Sequence, residues 1–280
     1  MESKKIILVP TDFSEVCDNA IHHAVKLAKE LNYKVTLLHV IDKTTKSQLK
    51  DEDKDFKVVD EKLAAIAGTY HKETGVEIDF VSLEGNIFDD IAKIASEINA
   101  ELMFLGTHGK KGLQHITGSY AYKVVTSATC PTVVVQNRSI ESGYNNIVFP
   151  VQEIVYVRQK VQWTIKVAKI FNATIHLYMI DSRVEEIRNK LKIVVSQIKQ
   201  IFTDHDVKYI IKYSDGASNF TNQCIAYASA QRADLIMIIS TNDLFEFKII
   251  PSEEKMIFNK AQIPVLCVNP REMYAYSFNL

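Results

Sequence analysis

The chain has 280 residues, of which 47% are hydrophobic and 24% are charged, and this composition excludes a disordered protein. Its 33 basic and 34 acidic side chains nearly cancel, which removes the main sequence argument for a nucleic-acid partner. No apolar run approaches the ~20 residues that span a bilayer, and the first run stops at Pro10, too early for a secretory leader. We therefore expect no membrane partner and a cytoplasmic location.

Five short apolar runs alternate with longer amphipathic segments in the first half of the chain. The runs are nearly continuous in aliphatic and β-branched residues, which is typical of strands buried on both faces of a parallel sheet. They predict strands at residues 5–9, 34–41, 76–83, 101–105 and 131–136. The segments between them predict helices at residues 13–32, 53–74, 86–99 and about 113–127, with a charged loop at 42–55. This alternation predicts a doubly wound α/β sheet.

The second half of the sequence repeats the first. Residues 5–10 match 145–150 at an offset of 140, residues 38–42 match 177–181 at 139, and residues 131–135 match 264–268 at 133. The order is kept while the offset falls slowly, as happens when loops shorten after a duplication. We therefore predict two domains, at residues 1–140 and 145–270, followed by a tail at 271–280. The tail alternates aromatic residues, and we expect it to pack against the domains.

A glycine-rich segment follows the fourth predicted strand and suits a phosphate group. Ligands of open parallel sheets bind beyond the carboxyl ends of the strands, where the strand order reverses. Glycine amides there can form an anion-binding nest, which the start of a helix reinforces. The alternative is a flexible turn, and the two lysines at 110–111 are more typical of a solvated surface than of a ligand contact. The residues in question are Gly106, Gly109, Gly112 and Gly118, with the hydroxyl of Ser119 behind them.

The segment after the first predicted strand, residues 9–14, has two interpretations. Asp12 and Glu15 fit a D-x-x-E capping box at the start of the first helix. Asp12 also stands where a carboxylate would meet an adenosine at the carboxyl edge of the sheet. Both roles are compatible, because the backbone can cap the helix while the side chain faces a cleft.

Together these motifs resemble the universal stress protein family. The motifs are Leu-Val-Pro-Thr-Asp-Phe-Ser at 8–14, Leu-His-Val-Ile at 38–41, Leu-Gly-Thr-His-Gly at 105–109, Gly-Ser at 118–119 and Cys-Pro-Thr-Val-Val-Val at 130–135. The resemblance is strong over residues 4–137 and weaker but collinear over 145–270. It implies in each half a five-stranded parallel sheet flanked by helices, of the adenine nucleotide alpha hydrolase-like type. It also implies that the halves pair through their last strands as an intrachain pseudo-dimer.

The resemblance further implies an adenine nucleotide site in the first half. Many members bind ATP through the pattern G-x2-G-x9-G-[ST], with an aspartate on the adenosine, main chain at the end of the second strand on the base, and glycines and serine on the phosphates. Only eight residues separate Gly109 from Gly118 here, so ATP, ADP or AMP, with or without Mg²⁺, or no nucleotide, all stay open. Carried over, the pattern implicates Pro10, Thr11, Asp12, Val40, Gly106, Gly109, Gly118, Ser119 and, through its backbone, Tyr120.

The second half lacks this chemistry. Val151 and Gln152 stand where Thr11 and Asp12 stand in the first half. Residues 240–251 contain no glycine, so a backbone nest would need costly left-handed conformations, and two acidic residues there would repel phosphate. We expect no nucleotide in this half in the family manner, and the apolar residues at 245–250 would either fill the cleft or meet a partner.

Three functions stay open. The first is a regulatory stress protein that binds a nucleotide in its first half, and the second is an interaction scaffold in which both sites are degenerate. The third is an enzyme of related fold, but the sequence has no Walker motif, paired carboxylates or metal-ligand spacing, and His22 and His23 are expected on a helix surface. The four distant cysteines favour buried, reduced thiols. We expect no catalytic residues, and partners limited to an adenine nucleotide, an unidentified protein and a second copy of the chain.

Overall fold

The structure, a computed structural model, describes residues 4–108, 118–152, 156–240 and 252–270. The described part of the first half alternates strands and helices as predicted. Its strands are β1 (Ile6–Pro10), β2 (Lys34–Ile41), β3 (Ile78–Glu84), β4 (Ala100–Gly106) and β5 (Thr132–Val135). Its helices are α1 (Glu15–Leu31), α2 (Lys43–Asp51), α3 (Lys57–Thr74), α4 (Ile87–Glu97) and α5 (Gly118–Ser127).

The described part of the second half follows the same plan, with a 3₁₀ turn at Val157–Lys160 before its first helix. Its strands are β6 (Asn146–Val151), β7 (Thr174–Met179), β8 (Lys208–Tyr213), β9 (Leu235–Ile239) and β10 (Val265–Val268). Its helices are α6 (Val161–Phe171), α7 (Glu185–Asp204), α8 (Phe220–Ala230) and α9 (Ser252–Ile257).

The prediction of a loop after β2 is wrong. The charged segment 42–55, expected to be a loop, contains the nine-residue helix α2. The side chain of Asp42 caps this helix by accepting hydrogen bonds from the amides of Thr44 and Thr45 at 3.0 and 2.8 Å. Only Leu49 of the helix is buried, so the segment has too little apolar periodicity to reveal a helix by pattern.

The ten strands form one sheet in the order β3-β2-β1-β4-β5-β10-β9-β6-β7-β8. Strands within each half pair in parallel, whereas β5 and β10 pair antiparallel, with Val134 opposite Val265 and Thr132 opposite Cys267. The predicted fold class is therefore confirmed, since two five-stranded parallel sheets pair through their last strands within one chain. Because the junction is antiparallel, the carboxyl edges of the two half-sheets point in opposite directions.

Two apolar layers hold the sheet between helices. Successive side chains of a strand face opposite sides, so Ile7 and Val9 pack with α1 and α3, whereas Leu8 packs with α4 and α5. Each layer continues into the second half, the first through α6 and α7 and the second through α8 and α9. Burying one such aliphatic side chain stabilises the fold by about 1.5–3 kcal/mol. The four cysteines are free and buried, as predicted, and among the described residues no helix combines the length and apolarity that crossing a bilayer requires.

A pair of amide side chains links the two halves beside the β5–β10 junction. Asn269 donates from Nδ2 to the carbonyl oxygens of Val125 and Ala128, both at 2.7 Å, at the C-terminal end of α5. Gln136, which lies 133 residues earlier at the matching position, donates from Nε2 to the carbonyl of Asn259 at 3.3 Å, just after α9. Each half therefore satisfies carbonyl groups at the end of the other half's last helix.

Side chains of α1 form hydrogen bonds with the linker between the halves, residues 136–144. Asn19 donates to the carbonyls of Gln136 and Arg138 at 2.7 and 3.0 Å, and His23 Nε2 donates to the Arg138 carbonyl at 3.0 Å. A carbonyl only accepts, so His23 Nδ1 is the acceptor for the Tyr144 hydroxyl at 2.9 Å. His23, expected on the surface, is 1% exposed because the linker covers its face of the helix, whereas His22 is exposed as predicted.

Candidate functional site

The strand order reverses between β1 and β4, which are neighbours in the sheet. α1 leads from β1 to β2 on one side of this point, and α5 leads from β4 to β5 on the other. A crevice forms at such a position because the two connecting segments diverge over opposite faces of the sheet. Pro10, Thr11 and Asp12 leave β1 here, and Gly106 ends β4 beside them.

The loop between β1 and α1 is folded tightly by its own side chains. The buried Thr11 donates its amide to the Leu38 carbonyl at 2.8 Å and accepts the Phe13 amide on Oγ1 at 3.0 Å. Asp12 accepts the Ser14 amide on Oδ1 at 3.0 Å. The helix has Ser14 as its N-cap and begins at Glu15, so the interpretation of Asp12 as the N-cap of a capping box is wrong. Instead the carboxylate of Asp12 shapes the turn before the helix.

Two aromatic rings stabilise this loop, that of Phe13 within the loop and that of His39 in β2. Phe13 has a φ of +64°, which a bulky residue rarely adopts, and its ring stacks on His39 with centroids 4.6 Å apart. His39 donates from Nδ1 to the Thr11 carbonyl at 2.8 Å. Burial lowers the pKa of His39 below its usual value, so the imidazole is neutral at pH 7. The only sign of this arrangement in the sequence is a histidine among the aliphatic residues at the end of β2.

Gly106 lies against the first turn of α1. A Cβ atom at this position would stand 2.6 Å from the carbonyl oxygen of Val16 and 2.9 Å from Cα of Cys17. Only glycine therefore allows β4 to end so close to the helix. Burial, with the charge of Asp12 second, raises the pKa of the Cys17 thiol to about 12, so this neighbouring cysteine is protonated and is not a nucleophile at pH 7.

The remaining predicted residues fall into three groups. Val40 lies near the end of β2, and its carbonyl accepts the Asp42 amide at 3.0 Å. Gly118, Ser119 and Tyr120 form the first turn of α5, so the backbone places this helix terminus after β4 as predicted. Gly109 and Gly112 lie outside the described residues, as do Lys110 and Lys111. The structure therefore brings Pro10, Thr11, Asp12 and Gly106 together at one edge, and the phosphate loop itself stays a prediction.

The corresponding edge of the second half holds a buried lysine that sequence reasoning missed. Lys160 is 1% exposed, and its Nζ donates to the carbonyl of Pro150 at 2.6 Å and lies 4.4 Å from the ring centroid of Phe149. Pro150 matches Pro10 of the first half, so an ammonium group occupies the end of β6 at the matching place. Ser240 follows β9 with its hydroxyl buried, and residues 241–250 lie outside the described residues. A lysine in a polar segment gives no sequence signal of burial.

The described residues contain no group of three or more histidine, cysteine, aspartate or glutamate side chains that could hold a metal ion. The carboxyl edge of the first half-sheet therefore offers the carboxylate of Asp12, the neutral imidazole of His39, the tightly turned backbone of the β1–α1 loop and the start of α5. Such groups bind and orient a polar ligand.

Comparisons with known proteins agree on one family. The model of the Universal stress protein family matches residues 4–136. A universal stress protein of Methanocaldococcus jannaschii is 33% identical over 146 residues, a match that covers 47% of this chain and 82% of the relative. A putative universal stress protein of Staphylococcus aureus is 30% identical over 151 residues, covering 51% of this chain and 91% of the relative.

The fold as a whole is also shared. The crystal structure of a universal stress protein from Archaeoglobus fulgidus aligns with a TM-score of 0.75 at 13% identity. The alignment covers 94% of this chain and 98% of that chain, so the likeness extends over both halves.

Proposed function

The chain belongs to the universal stress protein family, and on this premise we propose that it is a regulatory stress-response protein that binds an adenine nucleotide in its first half only. One observation carries the proposal. The turn that holds Asp12 and the close approach at Gly106 meet where the strand order reverses, which is the position at which open parallel sheets bind ligands.

Each element of the edge would have a separate role. Asp12 would accept hydrogen bonds from the adenosine, and the main chain at Val40 would meet the base. The phosphates would lie at the start of α5, where unsatisfied amides and the helix dipole favour negative charge. A magnesium ion, where one accompanies the nucleotide, would be held by its phosphates. The phosphate-binding residues in this proposal are Gly106, Gly109, Gly118, Ser119 and the amide of Tyr120.

The second half would act as a partner domain without a nucleotide. Its matching edge carries Lys160 bonded to the Pro150 carbonyl, in place of the threonine–aspartate turn of the first half. We assign the first domain to residues 1–140, the second to 145–270 and the tail to 271–280. The proposal places the protein in the cytoplasm, without a catalytic role, with an unidentified protein and a second copy of the chain as further partners.

The decisive experiment is to denature the purified full chain and identify any released nucleotide by mass spectrometry, followed by calorimetric titration with ATP, ADP and AMP. Gly118→Val should abolish binding, because a branched side chain would obstruct the amides that face the phosphate. The control is Gly68→Val, since Gly68 is exposed on α3 with no atom within 4 Å of an added Cβ.

Three outcomes would contradict the proposal. A preparation that releases no nucleotide and binds none of the three would favour the scaffold alternative. A loss of binding in Ser240→Ala would show that the second half holds the ligand. Continuous ATP turnover above background would show that the protein is an enzyme.

A further inference from the structure

A pocket of about 280 Å³ lies where the linker between the halves passes α1. Residues 138–144 of the linker form one wall, and His23 of α1 also lines the space. Asp234 and Pro264, which precede β9 and β10, complete the lining. Both halves and the linker therefore contribute to the walls, and ligand sites occur preferentially at such junctions. We call this space the linker pocket.

The guanidinium of Arg138 lines the linker pocket with unused hydrogen-bond donors. Its side chain is 32% exposed, and its ion pair with Asp234 Oδ1 is 3.5 Å long. No N–H group of this side chain donates a hydrogen bond to a described residue. The planar guanidinium presents paired donors that match the two oxygens of a carboxylate. A guanidinium that is two-thirds buried and makes no hydrogen bond indicates a position for an anion.

The backbone of the linker adds further donors to this wall. None of the amides of residues 139–143 donates a hydrogen bond within the described part of the chain, although Ile140 and Gly143 are buried. Buried amides without a partner are uncommon in folded proteins, because they lose their bonds to water. The hydroxyl of Ser142 accepts from Asn145 Nδ2 at 2.8 Å, so its proton is available to a ligand.

Packing at Gly143 holds the linker in one conformation. Gly143 has a φ of +100°, and a Cβ atom there would stand 2.2 Å from Cδ1 of Phe171 at the end of α6. The ring of Tyr144 meets the same phenyl ring edge-on, with centroids 5.4 Å apart. The donors of the wall are therefore in place before a ligand binds, which lowers the entropic cost of binding.

The rest of the lining is neutral and partly apolar. The Tyr144 hydroxyl donates to His23 Nδ1, and His23 Nε2 donates to the Arg138 carbonyl. Burial lowers the pKa of His23 to about 4, so its imidazole is uncharged at pH 7. Ile140 and Pro264 add aliphatic surface. A cavity of ~150 Å³ holds benzene, so 280 Å³ has room for one aromatic ring and a charged group.

Two carboxylates limit the charge that the linker pocket accepts. Asp234 accepts the amides of Asn145 and Asn146 on Oδ2, both at 2.9 Å, and its Oδ1 faces the guanidinium. Glu141 is exposed in the lining, and the ammonium of Lys26 donates to its carbonyl. Repulsion from the two carboxylates opposes a doubly charged phosphate more than a singly charged carboxylate.

From these observations we propose that the linker pocket binds a small organic carboxylate with an apolar body, and that Arg138 holds the carboxylate. The pocket shares no lining residue with the strand-edge site, so the inference does not depend on the proposed nucleotide function. A ligand there would contact α1, the linker and the segment before β9 at once. Its binding would therefore stabilise the folded arrangement of the two halves.

Benzoate is the probe, because it combines one aromatic ring with one carboxylate. The isotope-labelled full chain is titrated with benzoate at pH 7 and followed by NMR, with benzamide as the neutral isostere and phenyl phosphate as the doubly charged analogue. Benzoate should cause saturable shifts of the linker amides. It should bind about tenfold more tightly than benzamide, the difference expected for a hydrogen bond to a charged group. Phenyl phosphate should bind more weakly than benzoate.

Three variants locate the site and one serves as the control. Arg138→Gln should weaken benzoate binding about tenfold, and Arg138→Lys, which keeps the charge but loses the paired donors, should fall between Arg138→Gln and wild type. Ser139→Trp should remove binding by filling the pocket from an exposed position. The matched control Arg188→Gln, at an exposed position on α7, should bind as wild type does. Circular dichroism checks the folding of every variant.

Any one of four results would overturn the proposal. The first is a wild-type chain that shows no saturable binding of benzoate. The second is an unchanged benzoate affinity in either Arg138→Gln or Ser139→Trp. The third is displacement of benzoate by ATP, which would assign the carboxylate to the strand-edge site. The fourth is tighter binding of phenyl phosphate than of benzoate, which would show a different class of anion. A chain that binds benzoate but no nucleotide would contradict the proposed function and leave the linker pocket standing.

Discussion

Gly106→Ala tests the packing on which the candidate site depends. The added Cβ would stand 2.6 Å from the Val16 carbonyl oxygen and 2.9 Å from Cα of Cys17. Both are backbone atoms of the first turn of α1, so no change of rotamer relieves the overlap, and either the helix or the end of β4 must shift. Overpacking of this kind costs about 1–3 kcal/mol of unfolding free energy. For a chain of 280 residues the expected fall in Tm is roughly 2–5 °C.

The assay is urea and thermal unfolding of Gly106→Ala beside wild type and a matched glycine variant. Gly68→Ala makes the same chemical change in the interior of α3, where an added Cβ meets nothing within 4 Å. Alanine favours a helix over glycine by up to about 1 kcal/mol, so this control should be neutral or stabilised. Gly106→Ala should therefore be clearly less stable than Gly68→Ala. Equal or greater stability of Gly106→Ala would refute the close contact between β4 and α1.

Two further predictions concern the contacts between the halves. Asn269→Ala removes two hydrogen bonds of 2.7 Å to the end of α5 and should lower the unfolding free energy by about 1–3 kcal/mol. Gln136→Ala removes one hydrogen bond of 3.3 Å and should lower it by less. Equal losses of the two variants in urea melts would contradict this prediction. Burial lowers the pKa of His23 from 6.5 to about 4, so the unfolded chain binds this proton first and stability falls as pH drops from about 6.5 to 4. Over that window wild type should lose about 3 kcal/mol more than His23→Gln in pH-dependent urea melts, and parallel curves would disprove the buried neutral imidazole.

Some of the candidate site was predictable from sequence because it follows directly from strand ends. Residues at the carboxyl ends of neighbouring parallel strands must meet at one edge, so Asp12 after β1 and Gly106 at the end of β4 were expected together, and the structure places them so. His39, Phe13 and Lys160 were not expected there. Their roles depend on which face of an element packs against another, and a single histidine or lysine carries no signal of that.

The helix α2 is a second feature that the sequence pattern did not predict. Its nine residues contain one buried side chain, and its start is set by the local hydrogen bonds of Asp42. Composition predicts a loop for such a segment, because apolar periodicity is the main sign of a helix. Only the packing of Leu49 into the apolar layer that also holds Val59 and Leu63 of α3 stabilises the helix, and this packing involves residues distant in sequence.

The sequence alone determined that the chain is a duplicated, doubly wound α/β protein, because alternating apolar runs and collinear repeats are local properties that each half displays. The tertiary structure alone decided how that duplication is used. It turned His23 inward beneath the linker and closed β4 on α1 at Gly106. Each of these depends on contacts between residues far apart in the chain, whose burial and hydrogen bonding are defined only in the folded protein.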